Sequence, residues 1–292
     1  MSLLTPLVAA ELAQAVDPRA SAMAGALAAR YPQAARAVLF YGSCLREANL
    51  DGLMLDFYLI VSDYRAAYGK SWLARANRLV PPNVFPFEHG GLIAKYAVLS
   101  EADFARLCGA RADNVSVWAR FAQPARLPWV ADDVARQRAV AAVANAAPTL
   151  LALARPMAGG DADVLALWKT GFALTYDAEL RAERTGRSFS IVDADPERYR
   201  RFGEAALADM PPAASSADAA RRWRALQRRG KWLSVVRLAK ASFTFAGGID
   251  YLAWKINRHA GTQIVIRPWQ RRWPLLGAIT LLPRLFRTGA VR

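Results

Sequence analysis

The sequence predicts an α+β fold, in which a mixed N-terminal sheet with helices is followed by a mostly helical C-terminal region. Three short apolar runs in the first 100 residues, each bounded by turn residues, indicate buried strands. Beyond Pro128 such runs become rare, and longer segments rich in Ala, Leu and Arg indicate helices. We therefore predict a sheet-containing domain at 1–128, a helical domain at 129–212 and a basic C-terminal segment at 213–292.

The individual elements follow from the apolar pattern and from the breakers between its runs. Gly42-Ser43 ends the first strand, Pro81-Pro82-Asn83 precedes the third, and residues 211–216 form a candidate linker. Ser100 is suited to cap a helix, because two acids follow it in the next turn. The predicted elements are, in order, helix 3–35, strand 36–41, strand 53–61, helix 64–79, strand 91–99, helix 101–108 and helices 132–154, 162–184, 196–209 and 216–241.

The net charge of +15 lies entirely in the C-terminal quarter of the chain. Residues 221–292 contain 16 Lys or Arg and one acid, Asp250, whereas residues 1–220 contain 23 basic and 23 acidic residues. Such a segment attracts polyanions, either nucleic acid or the anionic face of a membrane. Five tryptophans lie among its basic residues: Trp223, Trp232, Trp254, Trp269 and Trp273.

The sequence favours a peripheral membrane protein over one that spans the bilayer. We find no signal peptide at the start and no run of 18 uncharged apolar residues. The apolar run 273–286 is broken by two prolines and has Trp and Arg at its flanks, which suits a segment in the membrane interface. A C-terminal helix packed on the body is the alternative. Two cysteines are too few for a disulfide framework.

The chemistry is predicted to centre on residues 41–63. A strand that ends in Gly42-Ser43 presents backbone N–H groups and a hydroxyl, which suit phosphate oxygens. Asp56 follows in the middle of an apolar strand, where an unpaired carboxylate would be costly to bury. Its position requires a metal, a base or a cationic partner, and a structural salt bridge is the plain alternative.

This pattern resembles that of the polymerase-β-like nucleotidyltransferases, and within them the mitochondrial-type (Tam family) phosphatidate cytidylyltransferases. The superfamily usually has a second acid two residues after the first, and here that position is Tyr58. The Tam family also lacks it. The segments that carry the likeness are Phe40-Tyr41-Gly42-Ser43, Met54-Leu55-Asp56-Phe57 with Asp63, Leu92-Ile93-Ala94-Lys95-Tyr96 with Val98 and Ser100, and Thr175-Tyr176-Asp177-Ala178-Glu179-Leu180-Arg181.

The resemblance implies transfer of CMP from CTP to phosphatidic acid, or a related lipid phosphate, with Mg²⁺ as cofactor. Catalytic roles are implied for Asp56, Lys95 and Glu179, of which Asp56 and Glu179 would be the metal ligands. The nucleotide would contact Tyr41, Gly42, Ser43 and Arg181. The family's Trp-His…Asn segment is altered, since Trp72, Leu73 and Asn77 occur here without a histidine.

The protein is expected to attach to the inner face of the cytoplasmic membrane and to hold no stable nucleic acid. The residues assigned to membrane or lipid contact are Lys231, Arg237, Lys240, Trp269, Arg271, Arg272 and Trp273. The same composition also suits RNA. An RNA-directed nucleotidyltransferase and a non-catalytic membrane-surface protein on the same fold therefore stay open as alternatives.

Overall fold

The computed structural model describes residues 3–47, 49–159, 162–178, 191–244 and 265–268. It confirms the predicted fold class, with a five-stranded mixed sheet in the N-terminal half and a helical C-terminal region. The strands are β1 (Ala35–Tyr41), β2 (Met54–Val61), β3 (Asn83–His89), β4 (Leu92–Ser100) and β5 (Ala125–Val130). Their order in the sheet is β3-β4-β2-β1-β5.

The three predicted strands form the centre of this sheet, and the two that sequence reasoning missed form its edges. β2 and β4 are parallel, whereas the pairs β1–β2, β1–β5 and β3–β4 are antiparallel. Both missed strands contain proline, Pro86 in β3 and Pro128 in β5. Proline lacks a ladder donor and is tolerated at a sheet edge, so it disguises an edge strand as a breaker. Gly90 and Gly91, both at positive φ, form the tight turn between β3 and β4.

The helices of the first half differ from the predictions mainly in where they break. The predicted helix 3–35 is two helices, because Asp17 caps the second one and Pro18 occupies its first position. The helices are α1 (Leu4–Leu12), α2 (Pro18–Ala29), α3 (Tyr64–Tyr68), α4 (Trp72–Leu79), α5 (Glu101–Cys108), α6 (Trp118–Phe121), α7 (Asp133–Ala144), α8 (Ala146–Ala154), α9 (Val164–Tyr176), α10 (Pro196–Ala208) and α11 (Ser216–Thr244).

The sheet separates two hydrophobic cores. One face packs against α2, α3 and α4, and the other packs against α1 and helices α5 to α11. Because strand side chains alternate between faces, Asp56 shares the second face with Tyr58 and Ile60. Lys95 likewise shares that face with Ala97 and Leu99. The larger core continues across the predicted boundaries at 128 and 212, since it contains residues from both sides of each.

Helix α11, the first part of the basic C-terminal segment, packs on the body of the protein. Trp223 is only 2% exposed, contacts Trp118 and donates a hydrogen bond to the carbonyl oxygen of Leu153 at 2.9 Å. It is therefore a core residue, unlike Trp232, which is 61% exposed on the same helix. In the part of the chain that the structure describes, one helical stretch, 133–157, has the length and apolarity of a membrane span. More than half of its apolar window is buried, as in a core helix.

Candidate active site

The centre of the site is a row of three side chains on the three central strands. Asp56 of β2 lies opposite Tyr41 of β1 and opposite Lys95 of β4 in the sheet register. Backbone pairing on both sides of β2 therefore fixes these positions relative to one another. The sheet thus brings together three residues that are 15 and 39 positions apart along the chain.

Gly42 lies directly against the carboxylate of Asp56. A Cβ atom at position 42 would lie 3.4 Å from Asp56 Oδ2, and the φ angle of Gly42 is +95°. The positive φ favours glycine at this position, and an added Cβ would be in van der Waals contact with the carboxylate. Ser43 follows as an exposed residue at the start of a short 3₁₀ turn, Ser43–Arg46. The predicted phosphate-binding turn and the predicted metal ligand are therefore adjacent.

Asp56 and Lys95 form an ion pair at the partly open end of this face. Lys95 Nζ lies 2.9 Å from Asp56 Oδ1, and the side chains are 30% and 22% exposed, respectively. This contact is an ion pair without hydrogen-bond geometry. The buried Oδ1 therefore accepts no hydrogen bond from any residue that the structure describes. Lys95 is thus the cationic partner that the sequence required for Asp56, and the carboxylate retains capacity for a further ligand.

A cleft of about 160 Å³ opens beside this row of residues. Its walls combine aromatic and aliphatic side chains with four cationic ones, Lys95, Arg120, Arg237 and Lys240. A small cavity with convergent cations favours a phosphate group over a neutral ligand. The lining residues are Tyr41, Phe57, Tyr58, Pro82, Val84, Lys95, Ala97, Ser116, Arg120, Arg237 and Lys240.

Arg120 of α6 connects the cleft to Tyr41. Burial raises the pKa of the Tyr41 phenol well above its usual value, and the negative charge of Asp56 raises it further. A hydrogen bond with Arg120 opposes this increase in the pKa of Tyr41. Arg120 also donates to the carbonyl oxygen of Ser116. Tyr41 is therefore a neutral hydrogen-bonding group at physiological pH, held between an acid and a guanidinium.

Arg237 and Lys240 reach the cleft from α11. Arg237 donates twice to the carbonyl oxygen of Pro81, at 3.0 and 2.7 Å, and Lys240 donates to those of Val80 and Pro82. Burial, and secondarily the charge of Arg237, lowers the pKa of Lys240 to about 7. The sequence assigned both residues to membrane contact. The structure places them in the wall of the cleft, whereas Lys231 is exposed on the same helix.

Several other predicted residues have structural partners or lie outside the described residues. Asp63 caps α3 by accepting hydrogen bonds from the N–H groups of Arg65 and Ala66. Asn77 is buried and donates to the carbonyl oxygen of Val98. No group of three or more His, Cys, Asp or Glu side chains suited to a metal occurs within the described ranges. The predicted residues outside those ranges are Glu179, Arg181, Trp269, Arg271, Arg272 and Trp273.

Arg120 is the site residue that sequence reasoning missed. It lies in a four-residue helix between α5 and β5, in a stretch for which the sequence predicted no element. Its only sequence signal is a basic residue between aromatic ones, Trp118 and Phe121, and that pattern has no specific meaning by itself. No protein-family model matches this chain, and no curated protein matches it.

Proposed function

We propose that this protein transfers CMP from CTP to the phosphate of phosphatidic acid, or of a related lipid, giving CDP-diacylglycerol and pyrophosphate. One observation carries the proposal. The Gly42-Ser43 turn lies against the Asp56 carboxylate, beside Lys95, at the edge of a cleft with three further cations. Such an arrangement matches the needs of phosphoryl chemistry, where positioning and charge neutralisation contribute most of the catalysis.

The residues present fit a bound Mg²⁺ ion. Magnesium commonly binds one or two protein carboxylates together with substrate phosphates and water. Asp56 supplies one such carboxylate, because its buried Oδ1 accepts no hydrogen bond from any described residue and Oδ2 faces the Gly42 turn. Lys95 Nζ, 2.9 Å from Oδ1, would share this carboxylate with the ion. Asp56 would hold the ion, with Glu179 as the proposed second ligand from outside the described residues. The ion would supply neutralising charge to the nucleotide phosphates.

The protein's own groups would bind and orient the two substrates. Backbone N–H groups near Gly42 and the hydroxyl of Ser43 would bind the triphosphate. Lys95 and Arg120 would offset the charge around the α-phosphate. An oxygen of the lipid phosphate forms the new bond to the α-phosphorus. The bond between the α-phosphorus and the oxygen that bridges to the β-phosphorus breaks, and pyrophosphate leaves with the electron pair of that bond. The attacking oxygen is already ionised, so no strong general base is required.

A lipid acceptor is favoured by the charge distribution. Residues 1–220, which carry no net charge, supply most of the cleft lining, and the whole net charge of +15 lies in residues 221–292. Helix α11 joins these two regions, with Arg237 and Lys240 at the cleft and Lys231 and Trp232 exposed. Exposed cations beside tryptophan are suited to an anionic headgroup layer. We therefore propose peripheral attachment to the inner face of the cytoplasmic membrane.

The direct test is transfer of radiolabel from CTP to phosphatidic acid in the presence of Mg²⁺. Wild type is expected to form a lipid-soluble product, and Asp56→Asn is expected to lose it. Asp209→Asn is the matched control, since Asp209 is exposed at the end of α10. Absence of product from wild type would reject the transfer reaction. Full activity in Asp56→Asn would reject the role of Asp56 instead.

A non-catalytic protein on the same fold is the second candidate. The ion pair between Lys95 and Asp56 favours it, because this contact already compensates the charge of the carboxylate. In that case the wild type binds anionic vesicles but forms no product with any nucleoside triphosphate. An RNA-directed enzyme would instead transfer the label to the end of an RNA. The assay therefore includes a separate reaction in which RNA replaces phosphatidic acid as the acceptor.

A further inference from the structure

Arg237 and Lys240 form a pair of like charges one turn apart on α11. Both side chains are half-buried, and both line the cleft. They point to the loop before β3, where Arg237 donates a hydrogen bond to the carbonyl oxygen of Pro81 and Lys240 donates one to that of Pro82. This loop and helix α11 are distant in the sequence, so the contact is a specific feature of the tertiary structure.

The position of Lys240 is electrostatically unfavourable in the absence of an anion. The hydrogen-bond partners of Lys240 are carbonyl oxygens, which carry no formal charge. Burying a cation is costly unless an opposite charge compensates it, and a neighbouring cation adds to that cost. The low pKa of Lys240, with burial and Arg237 as its causes, reports the same cost. An anion in the cleft would relieve it.

The cations that line the cleft form two groups, which come from different helices and strands. Lys95 of β4 pairs with Asp56 next to the Gly42 turn, and Arg120 of α6 hydrogen-bonds Tyr41. The described hydrogen bonds of Arg237 and Lys240 go instead to residues 80–82 and to Asn114. In a reaction between two phosphate-bearing substrates, each group can offset the charge of one substrate. The group next to Gly42 is the one suited to the triphosphate.

We propose that Arg237 and Lys240 form the subsite that binds the phosphate monoester of the acceptor. The inference rests on the proposed transferase function and deepens it. A phosphate monoester is a dianion near neutral pH, and two cations one helical turn apart match that charge. A guanidinium can bind two phosphate oxygens at once, and the ammonium of Lys240 supplies a point charge. The helix that carries them leads in sequence into the basic, Trp-rich segment, so a lipid phosphate is the source we favour.

We expect binding by this subsite to be coupled to proton uptake. At pH 8 a lysine with a pKa near 7 is mostly neutral, and a bound dianion would restore its proton. The other charged or titratable groups that line the same cleft are Lys95, Arg120, Arg237, Tyr41 and Tyr58. Burial raises the pKa of Tyr41 well above its usual value, so Tyr41 stays neutral at this pH. At pH 8 the phosphate monoester is already a dianion, so its own ionisation contributes little.

The experiment is calorimetric titration at pH 8 with dihexanoyl phosphatidic acid, a soluble probe that requires no membrane. Wild type is expected to bind it with uptake of about one proton, measured from the heats in two buffers of different ionisation enthalpy. Arg237→Gln and Lys240→Met are each expected to weaken binding by about tenfold or more. Lys240→Met is also expected to abolish the proton uptake. CTP affinity is expected to stay within about twofold of wild type.

Two matched variants control for charge and for folding. Arg228→Gln and Lys70→Met make the same substitutions at exposed positions outside the cleft, and neither is expected to change phosphate binding. Circular dichroism and thermal unfolding verify that each variant is folded. Lys240→Met keeps the apolar stem of the side chain and removes a buried charge, so we expect it to fold.

The outcomes separate this inference from the proposed function. If the two cleft variants lose CTP affinity and keep phosphate binding, the pair belongs to the nucleotide and the inference is wrong. It is equally wrong if neither variant affects either ligand, or if wild type does not bind the soluble lipid phosphate. Transfer of label from CTP that depends on Asp56 would support the proposed function in each of these cases.

Discussion

Gly42, directly after β1, lies next to Asp56 within β2, although the two residues are 14 positions apart in the sequence. A Cβ at position 42 would lie 3.4 Å from the carboxylate oxygen Oδ2, and it would sit on a backbone with φ of +95°. This proximity is the basis for the proposal that a glycine at the end of β1 and an acid within β2 act together at one site. It also provides a way to separate the role of the turn from its contribution to stability.

Gly42→Ala is expected to abolish nucleotide binding at a modest cost in stability. The positive φ strains an L-residue by about 1 to 2 kcal/mol, and the new methyl group would occupy the space next to the Asp56 carboxylate. Gly52→Ala is the control, because Gly52 also has a positive φ, +70°, but an added Cβ would meet nothing within 4 Å. Urea unfolding should show similar losses for both variants, and CTP titration should show a loss for Gly42→Ala alone. Equal CTP binding by the two would contradict a role for the turn.

Lys95→Met is expected to destabilise the protein, because it leaves the charge of Asp56 without its ion-pair partner. The pair is only partly buried, so we expect a loss of about 1 to 3 kcal/mol, less than for a fully buried pair. Adding Asp56→Asn should recover part of that loss. Urea unfolding of wild type, both single variants and the double variant measures the coupling energy. Additive effects in this cycle would show that the 2.9 Å contact contributes nothing to stability.

The contribution of Lys240 to stability is expected to become more favourable as the pH rises from about 7 to about 10.5. Its pKa is about 7 in the folded protein and 10.5 in the reference state, so over this interval only the unfolded chain keeps the proton. Raising the pH therefore stabilises the folded state relative to the unfolded state. The unfolding free energy of wild type minus that of Lys240→Met should increase between pH 7 and pH 9.5. A constant difference would contradict the low pKa of Lys240.

The two described tryptophans of α11 are expected to respond differently to truncation. Trp223→Ala removes a buried side chain and its hydrogen bond to Leu153, which should cost about 3 to 5 kcal/mol. Trp232→Ala changes an exposed side chain and should leave stability within about 0.5 kcal/mol. Thermal unfolding measures the loss of stability in Trp223→Ala. Trp232→Ala is expected to dock more weakly on membranes, which sedimentation with vesicles rich in phosphatidic acid measures. Unchanged docking by that variant would exclude this face of α11 as a membrane contact.

Sequence reasoning predicted the centre of the sheet well because those strands are continuous apolar runs with one polar exception each. It missed β3 and β5 because edge strands tolerate Pro86 and Pro128, which the apolar pattern treats as breaks. The Gly90-Gly91 turn was the available signal for β3, since paired glycines favour a hairpin. Local sequence therefore defined the interior strands, whereas the edges depended on tertiary pairing.

Only the part of the candidate site that lies on paired strands could be predicted from the sequence. Asp56 and Lys95 stand out in the sequence because each is a lone charge inside an apolar strand, and the sheet register makes them neighbours. Arg237 and Lys240 lie on a helix rich in basic residues, and Arg120 lies between aromatic residues on a four-residue helix. In neither case does a local pattern mark the cations that line the cleft. The composition of α11 suggested a membrane surface, but helix packing turns two of its cations inward.

The most direct test of the central claim is the fate of each phosphate of CTP. Wild type is incubated with phosphatidic acid and Mg²⁺, and with CTP labelled at either the α- or the γ-phosphorus. We expect α-label in the lipid fraction and γ-label in pyrophosphate, in equal amounts and only when Asp56 is intact. Label from the γ-position in the lipid, or equal label transfer by Asp56→Asn, would contradict nucleotidyl transfer at this site.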